Sequence, residues 1–432
     1  MIALRRLCII FIVSCFMTFE VFSMVEDNRF FPEFPRNYSR TWCYPSAFFV
    51  DGFIMTGNDA FDHEEEDKDI GIFETFGLYN ENKVADAIVA LGLPDPFDQF
   101  PTLQRFRGQN ILWDMDAKIQ TQGFAVQWDQ HIWRYLWMGG SVFFMHLYSR
   151  NDFNLNIEKT VTPLVISFDD QLRLDELRRA MNVTLGLQPS VFKRTGFSDI
   201  DFYFRIGNIW EYLYKFKRVD VGLKVGTMIP SGVVRKIINP ASVPFGGDGH
   251  WGIYSAVDFE IELKEDWKVG GHARINKRFA KTKEERLPVV GKPVLNEHEI
   301  FLSEQQLWGG AQGRADINPG ITSIFSPYAR LENIREGFGL QAGYTIAHHF
   351  EDSWADKRPV PIPPVFLEEN EKRSKWTSEF VTVDAFFDCA QLMLPYGFAP
   401  ILSFKWDVPV KLFAAKGAAK TNRVSLGIKL NY

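Results

Sequence analysis

The sequence predicts an all-β fold: a closed antiparallel transmembrane β-barrel of about 12 to 14 strands, with short helices in its loops or plug. Three observations lead there. Segments of eleven to fourteen residues alternate apolar and polar side chains with a period of two. A membrane-crossing strand needs roughly nine to eleven residues, whereas strands in globular proteins cluster near five or six. The chain also stops on such a segment: Val424, Leu426, Ile428, Leu430 and Tyr432 on one face, Arg423, Ser425, Gly427, Lys429 and Asn431 on the other. Finally, beyond an amino-terminal leader no run of 18 apolar residues remains, so no further transmembrane helix is indicated.

Residues 1–23 read as a signal peptide. Arg5 and Arg6 precede an apolar run from Leu7 to Phe19, and Val21-Phe22-Ser23 offers the compact residues of a cleavage site. The run is short for a membrane anchor, which needs roughly 20 residues. Ile12-Val13-Ser14-Cys15 also fits a lipoprotein box, with Cys15 as the lipidated residue, but Phe16 to Phe22 would then open the mature chain where a polar tether is expected. Residues 24–45 form an amino-terminal segment, and 46–432 the barrel, with long loops at 151–198, 281–319 and 351–372.

Five strands stand out. Val219, Val221, Leu223, Val225 and Ile229 oppose Asp220, Gly222, Lys224 and Gly226. Ile200, Phe202, Phe204, Ile206 and Trp210 alternate with Asp199, Asp201, Tyr203, Arg205 and Gly207. Trp251, Ile253, Val257, Phe259, Ile261 and Leu263 alternate with Asp258, Glu260 and Glu262. Trp267, Val269, Ala273, Ile275 and Phe279 alternate with Lys268, His272, Arg274 and Arg278. The terminal segment is the fifth. A three-residue turn at Lys264-Glu265-Asp266 would place Leu263 opposite Trp267, Ile261 opposite Val269 and Val257 opposite Ala273. It would also set Glu262 against Lys268 and Asp258 against His272, each pair contributing about 0.2–1 kcal/mol. A one-residue slip would turn those charges into lipid.

Eight more candidates follow: Ala47–Thr56, Gly71–Leu78, Ile111–Trp128, Arg134–Tyr148, Thr322–Leu331, Gly337–Phe350, Trp376–Asp388 and Gly397–Val410. Ile111–Trp128 changes phase near Gly123, the mark of a bulge. Arg134–Tyr148 and Trp376–Asp388 do not alternate cleanly. Within the loops, Leu174, Leu177, Met181 and Leu185 recur at helical spacing, as do Val84, Ile88 and Leu91. Such stripes usually pack as core, here against a loop or the barrel mouth, rather than forming a mobile lid. Pro359, Pro361, Pro363 and Pro364 exclude a central strand there.

The terminal strand resembles the closing strand of a bacterial outer-membrane β-barrel, and Ser425, Gly427, Leu430 and Tyr432 resemble the carboxyl-terminal signal that such barrels present to their assembly machinery. A second resemblance lies in Gly196-Phe197-Ser198-Asp199, Gly226-Thr227-Met228-Ile229-Pro230-Ser231-Gly232 and Gly246-Gly247-Asp248-Gly249-His250-Trp251. Their rhythm is similar to the outer-membrane transporters for long-chain fatty acids and toluene and their phenol-degradation relatives. That superfamily implies a 14-stranded barrel with an amino-terminal hatch. Here Val25–Pro45 is the segment available for one, although its residues do not match.

The chain has 432 residues, 46% of them hydrophobic and 24% charged, with a net charge of −6. That is too polar for a helical bundle, and no basic stripe suggests nucleic acid. Aromatics make up 15%, which suits a lipid-facing wall with interfacial girdles. Cleavage leaves two cysteines, Cys43 and Cys389, a candidate disulfide in an oxidising compartment; two separate buried thiols are the alternative.

Chemical motifs are sparse. Asp62–Asp69 is acidic but lacks calcium-loop spacing. His348 and His349, being adjacent on a strand, face opposite ways and cannot chelate together. His146 and Ser149 likewise fall on opposite faces. No Gly-x-Ser-x-Gly turn, phosphate loop or Cys-x-x-Cys pair occurs, so an enzyme has no positive support and neither a cofactor nor a metal is implied.

The expectation is therefore an exported outer-membrane channel or transporter for passive passage of small solutes, including hydrophobic compounds. Its partners would be outer-membrane lipid and the barrel-assembly machinery. Asp199, Asp201, Arg205, Asp220, Lys224, Asp258, Glu260, Glu262, Lys268, His272, Arg274 and Arg278 are the expected lumen-lining residues. The alternatives are a structural or adhesive barrel without transport and a soluble exported β-domain that binds a ligand.

Overall fold

The computed structural model describes residues 28–32, 46–63, 69–160, 165–211, 216–264, 266–291, 301–302, 310–389 and 399–431. Twelve antiparallel strands close on themselves. They are β1 (Ala47–Gly57), β2 (Leu112–Trp133), β3 (Leu136–Leu155), β4 (Ile200–Glu211), β5 (Arg218–Ile229), β6 (Gly252–Lys264), β7 (Trp267–Arg278), β8 (Ile321–Arg335), β9 (Phe338–His349), β10 (Trp376–Asp388), β11 (Ala399–Pro409) and β12 (Asn422–Asn431). Each bonds to its neighbours in sequence, and β12 returns to β1 with Val50 opposite Ile428 and Ile54 opposite Val424. Closure removes the exposed sheet edge.

The two ends of the barrel differ. Arg134-Tyr135 and Glu336-Gly337 are tight links. Glu336 and Gly337 both take positive φ, 37° and 91°, the turn geometry that matches the twist of paired strands. At the other end the connections are long: 58–111, 156–199, 230–251, 279–320, 350–375 and 410–421. They carry α1 (Glu81–Ala90), α2 (Phe168–Thr184) and α3 (Glu368–Ser374). They also carry a small sheet of Lys281–Leu287, Ala311–Asn318 and Ser353–Asp356.

The wall is inverted relative to a water-soluble protein. Ile206, Leu223, Ile253, Ile275, Phe404 and Leu426 point outward and are exposed, while Arg205, Lys224, Arg274 and Arg423 are buried inside. An apolar belt outside an ionic interior is the arrangement of a transmembrane barrel. Two inward glycines make room for the ionic side chains: a Cβ on Gly222 would meet Arg205 Nε at 2.2 Å, and one on Gly226 would meet the Tyr254 ring at 2.4 Å.

The phase change expected at Gly123 has a different origin. β2 keeps an unbroken register with β1 and has none of the disruption of a bulge at that point. Instead the polarity of its two faces exchanges. Below Gly123 the outward residues are Phe124, Val126 and Trp128, and Asp129 is buried inside. Above it the outward residues are Asp114, Asp116, Lys118, Gln120 and Gln122, and the inward ones are Trp113, Met115, Ala117 and Ile119. The strand leaves the lipid there, and its inner face packs on an apolar core formed by the loops. β3 does the same between Phe144 and His146, which explains its irregular pattern. Phe124, Phe144 and Phe197 touch at this level, with ring centroids 5.4 and 5.0 Å apart.

Other expectations are corrected. Gly71–Leu78 is not a barrel strand: Ile72–Phe76 is a 3-10 helix inside the mouth, where Ile72 and Phe73 are buried. The thirteen candidate strands therefore reduce to twelve. Lys264 pairs with Trp267, and the register shifts between Glu262 and Lys264, so Leu263 does not face Trp267. The remaining pairs, Ile261 with Val269, Val257 with Ala273, Glu262 with Lys268 and Asp258 with His272, are as expected. Of the helical stripes, Leu174, Leu177, Met181, Leu185, Val84 and Ile88 are buried, but Leu91, just past the end of α1, is exposed.

β10 alternates poorly because Glu379 sits on its outward parity. The connection after β11 folds over it, and the backbone N–H groups of Leu412 (2.7 Å), Phe413 (3.1 Å) and Ala414 donate to its carboxylate. A charge on the lipid side is thus covered and satisfied. Phe413 stays exposed and stacks edge-on against Tyr344 at 5.9 Å.

Candidate functional site

All twelve of the expected lumen-lining residues are buried, and most are held in charge clusters that cross strands. On β4 the Arg205 guanidinium donates to Asp220 of β5 at 2.7 Å and to Asp258 of β6 at 2.6 and 2.9 Å. Lys224 lies 3.7 Å from the same Asp258. Arg218 bonds Glu260 at 2.7 Å, whose other oxygen accepts from Tyr328 at 2.8 Å. Arg274 stacks over the Tyr254 ring at 3.6 Å and stands 3.9 Å from Asp201. Glu262 and Lys268, although directly opposite in register, take other partners: Lys268 bonds Glu332 at 2.6 Å, and Glu262 lies 3.2 Å from Lys217. His272 is buried across from Asp258.

The belt continues where no site residue was expected. Arg423 of β12 bonds Asp407 of β11 at 2.7 Å, Thr382 donates to the same carboxylate at 2.6 Å, and Lys405 lies 3.5 Å from Asp51 of β1. The period-two pattern carried the signal for these residues, since Lys405 and Asp407 share a parity on a segment already read as a strand.

Above the belt, the long loops fold into the mouth. Phe73, Phe97, Phe106, Val84, Ile88, Leu174, Leu177 and Met181 pack with Phe53, Met55, Met115, Ile119, Phe143 and Met145 of β1, β2 and β3. Burying each such side chain contributes about 1.5–3 kcal/mol. Ser167 caps α2 and Asp170 returns the bond, a reciprocal capping box. Two carboxyls are enclosed here. Burial pushes Glu81 up to about 8, against the hydrogen bond from Trp113 Nε1 at 3.0 Å. Burial likewise raises Glu74 to about 7, against the Met115 N–H at 2.7 Å.

Residues 28–32 join this core. Phe30 and Phe31 are buried in it. The Asn28 amide donates to the carbonyls of Pro244 and Gly246 at 2.9 and 3.3 Å. Arg29 donates to those of Arg373 and Ser374, both at 2.7 Å. Thr421 donates to Phe30 O, and Arg423 to Pro32 O. The segment is therefore stitched to the connections after β5, β9 and β11.

Beside it lies a cavity of about 160 Å³, bordered by Arg29, Phe30, Phe76, Arg235, Asp248, Lys283, His349, Asp352, Trp354 and Trp376 among others. The glycine-rich stretch Gly246–His250 forms one wall. Asp248 takes φ 53° there. Burial opposes its ionisation, but Lys283 and Arg235 outweigh it and hold the carboxyl at about 2. Burial also opposes ionisation of Asp352, which the His349 Nε2 contact at 2.9 Å and the Gly320 N–H hold low. Burial lowers Arg29 to about 10 despite the attraction of Asp352.

The other expectations fall as follows. His348 faces outward and His349 inward, each bonded to a threonine. His146 is exposed, while Ser149 is buried and donates to Ala241 O. Cys389 follows β10, with β11 and β12 between that strand and β1, and carries no disulfide among the described residues. Cys43, the expected leader with Cys15, most of Val25–Pro45, the middle of the acidic run 62–69 and Tyr432 lie outside the described residues. Ser425, Gly427 and Leu430 lie within β12.

No protein-family model and no curated protein matches the chain. Among solved structures, an outer membrane channel from Pseudomonas putida aligns with 93% of this chain and 100% of that chain, at 9% identity and a TM-score of 0.49. A FadL homologue from Pseudomonas aeruginosa aligns with 90% of this chain and 89% of its own, at 9% identity and a TM-score of 0.30. The monoaromatic hydrocarbon channel TodX, as a mutant, aligns with 90% and 91%, at 9% identity and a TM-score of 0.33. The barrel is established by this chain's own strand ladder, not by these alignments.

Proposed function

We propose that the chain is an outer-membrane β-barrel acting as a passive channel or transporter for small solutes, hydrophobic compounds included. The observation that carries this reading is the mouth. Loops and residues 28–32 fold into the barrel and pack against one side of its wall, above an interior lined with charges of both signs. A barrel serving only as an anchor has no need of such a cap. In this reading Asp199, Asp201, Arg205, Asp220, Lys224, Asp258, Glu260, Glu262, Lys268, His272, Arg274 and Arg278 set the electrostatics of the path, and displacement of the cap opens it. Export by cleavage after Ser23 and assembly through the Tyr432 end belong to the same proposal, as does an outer-membrane lipid surround.

One observation favours a second reading, a structural barrel. Interior charges pair with one another across strands, as Arg205 does with Asp220 and Asp258 and Arg423 does with Asp407. Reconstitution in a planar bilayer separates the two. The channel reading expects conductance that rises when residues 24–32 are deleted; the structural reading expects none in either form. Recovery of the protein in the soluble fraction, with no gel shift on boiling, would sink both.

A further inference from the structure

Two acidic side chains fasten the cap to β2. Glu74 and Glu81 are 6% and 0% exposed and lie among Phe73, Tyr79, Val84, Ile88, Trp113 and Met115. Both belong to the connection 58–111, and each is bonded to its own residue of the wall. Glu74 accepts from the Met115 N–H at 2.7 Å, and Glu81 from Trp113 Nε1 at 3.0 Å. Glu74 sits in the turn Ile72–Phe76, and Glu81 opens α1. No cation bonds either carboxyl among the described residues, and the second oxygen of Glu81 has no hydrogen-bond partner. A buried carboxylate without a counter-ion is costly, and the group takes up a proton instead.

The charged neighbours leave that cost in place. From α2, Arg178 faces Glu81, but it is paired with Asp175 and lies over the Phe153 ring at 4.0 Å. Beside Glu74, Asp114 and Asp116 of β2 add repulsion, and Lys159 lies 3.6 Å from Asp114. Arg107 pairs with Asp86 and Asp95, Arg373 of α3 with Glu369, and Lys420 with Asp69. Asp59, raised by burial and by Asp69, is exposed. His63, whose Nε2 meets the Thr75 carbonyl at 2.9 Å, is pushed down to about 4 by burial and is neutral above that. Burial raises Glu74 to about 7 and Glu81 to about 8, so both change charge around neutral pH.

We propose that Glu74 and Glu81 form a two-step proton latch on the mouth: protonated, they leave the turn 72–76 and α1 seated against β2, and ionised, they drive first the turn and then α1 off the wall into water. The sign follows from the direction in which burial moves them. Once released, each carboxyl returns to its ordinary value of 4.5. Protons therefore favour the seated state fully below about pH 4.5. That preference is lost as pH climbs to about 7 for the turn and to about 8 for α1. The latch rests on the channel reading only for what its release opens.

Residue-resolved hydrogen exchange of the full mature chain in lipid nanodiscs, corrected for intrinsic rates, tests this. The amides of Gly77 and Met115, both bonded to Glu74 at 2.9 and 2.7 Å, report the turn; those of Ala85 to Ala90 report α1. Opening of each is expected to rise with pH by about tenfold per unit, the effect of one titrating carboxyl. The rise should level off above about pH 7 for the turn and about pH 8 for α1. Glu74→Gln, which fixes the neutral form, is expected to flatten the first rise and Glu81→Gln the second; the double variant should flatten both. Should the double variant lose the boiled-versus-unboiled gel shift of a folded barrel, the single variants carry the test. Exchange that does not change with pH, or a rise that survives in the variant of its own carboxyl, would overturn the proposal. Conductance is read separately over the same pH range: release without conductance removes the channel reading and leaves the latch standing, whereas conductance without release removes only the latch.

Discussion

Arg205 offers the sharpest test of how the interior is held together. Its guanidinium is fully buried and bonds Asp220 at 2.7 Å and Asp258 at 2.6 Å. Lys224, 3.7 Å from Asp258, completes a group of two cations and two carboxylates. Arg205→Met keeps much of the side-chain volume and removes one charge, leaving a buried carboxylate without its counter-ion. Breaking a buried pair on one side costs about 3–5 kcal/mol. Adding Asp220→Asn restores the balance, because Lys224 and Asp258 still face each other, and a neutral replacement of a buried pair is often nearly free. The double variant is therefore expected to recover most of the loss, a coupling of about 2–3 kcal/mol, at the upper end for contacting residues. Urea unfolding in phospholipid vesicles, followed by tryptophan fluorescence, reads both variants. A single variant that loses less than about 1 kcal/mol, the range of an exposed pair, would show that the cluster is water-filled. A double variant no better than the single would show that the loss is packing and not charge.

Two further outcomes follow from the fold. If the lipid boundary on β2 lies at Gly123, Leu426→Arg on the outward belt should cost about 2–4 kcal/mol and Gln120→Arg about 0–1, measured by the same unfolding; equal costs would misplace the boundary. The second concerns Glu81, whose carboxyl is raised by burial to about 8 from its usual 4.5. A raised folded value means that its contribution to stability is complete below about pH 4.5 and is lost as pH climbs through about 8, by an order of a few kcal/mol. Amide exchange in α1, corrected for intrinsic rates, should show less protection at pH 9 than at pH 5. Glu81→Gln should flatten that dependence, and a dependence that survives it would assign the titration elsewhere.

The membrane-embedded half of the barrel is legible because one rule governs nearly all of it, the covered Glu379 of β10 aside. Where lipid lies outside and charge inside, a period of two sets side, register and length together, as in β5, β6, β7 and β12. Reading failed where the rule changed along a single strand. On β2 and β3 the polarity pattern breaks because the medium changes on both faces at once: water replaces lipid outside Asp116 and Gln120, and an apolar cap replaces the ionic belt inside Met115 and Ile119. Ile72-Phe73-Glu74-Thr75-Phe76 mimics a strand for the opposite reason. Its alternation satisfies a helical turn packed into the mouth, with Glu74 bonded to Met115 N at 2.7 Å, a contact that no local pattern encodes.

The cavity lay beyond sequence reading for a geometric reason. Arg29 and Trp354 stand more than 300 residues apart in the chain, and neither belongs to a motif. Arg29 lies in the short amino-terminal segment 28–32, and Trp354 lies in a short strand of the loop sheet. What joins them is closure: β12 returning to β1 brings the amino-terminal segment beside the connections after β9 and β11, where Arg373, Ser374, Ala419 and Thr421 hold it. Ion pairing within the lumen is set by neighbouring strands and so by the ladder, whereas pairing at the mouth is set by which loops meet over it.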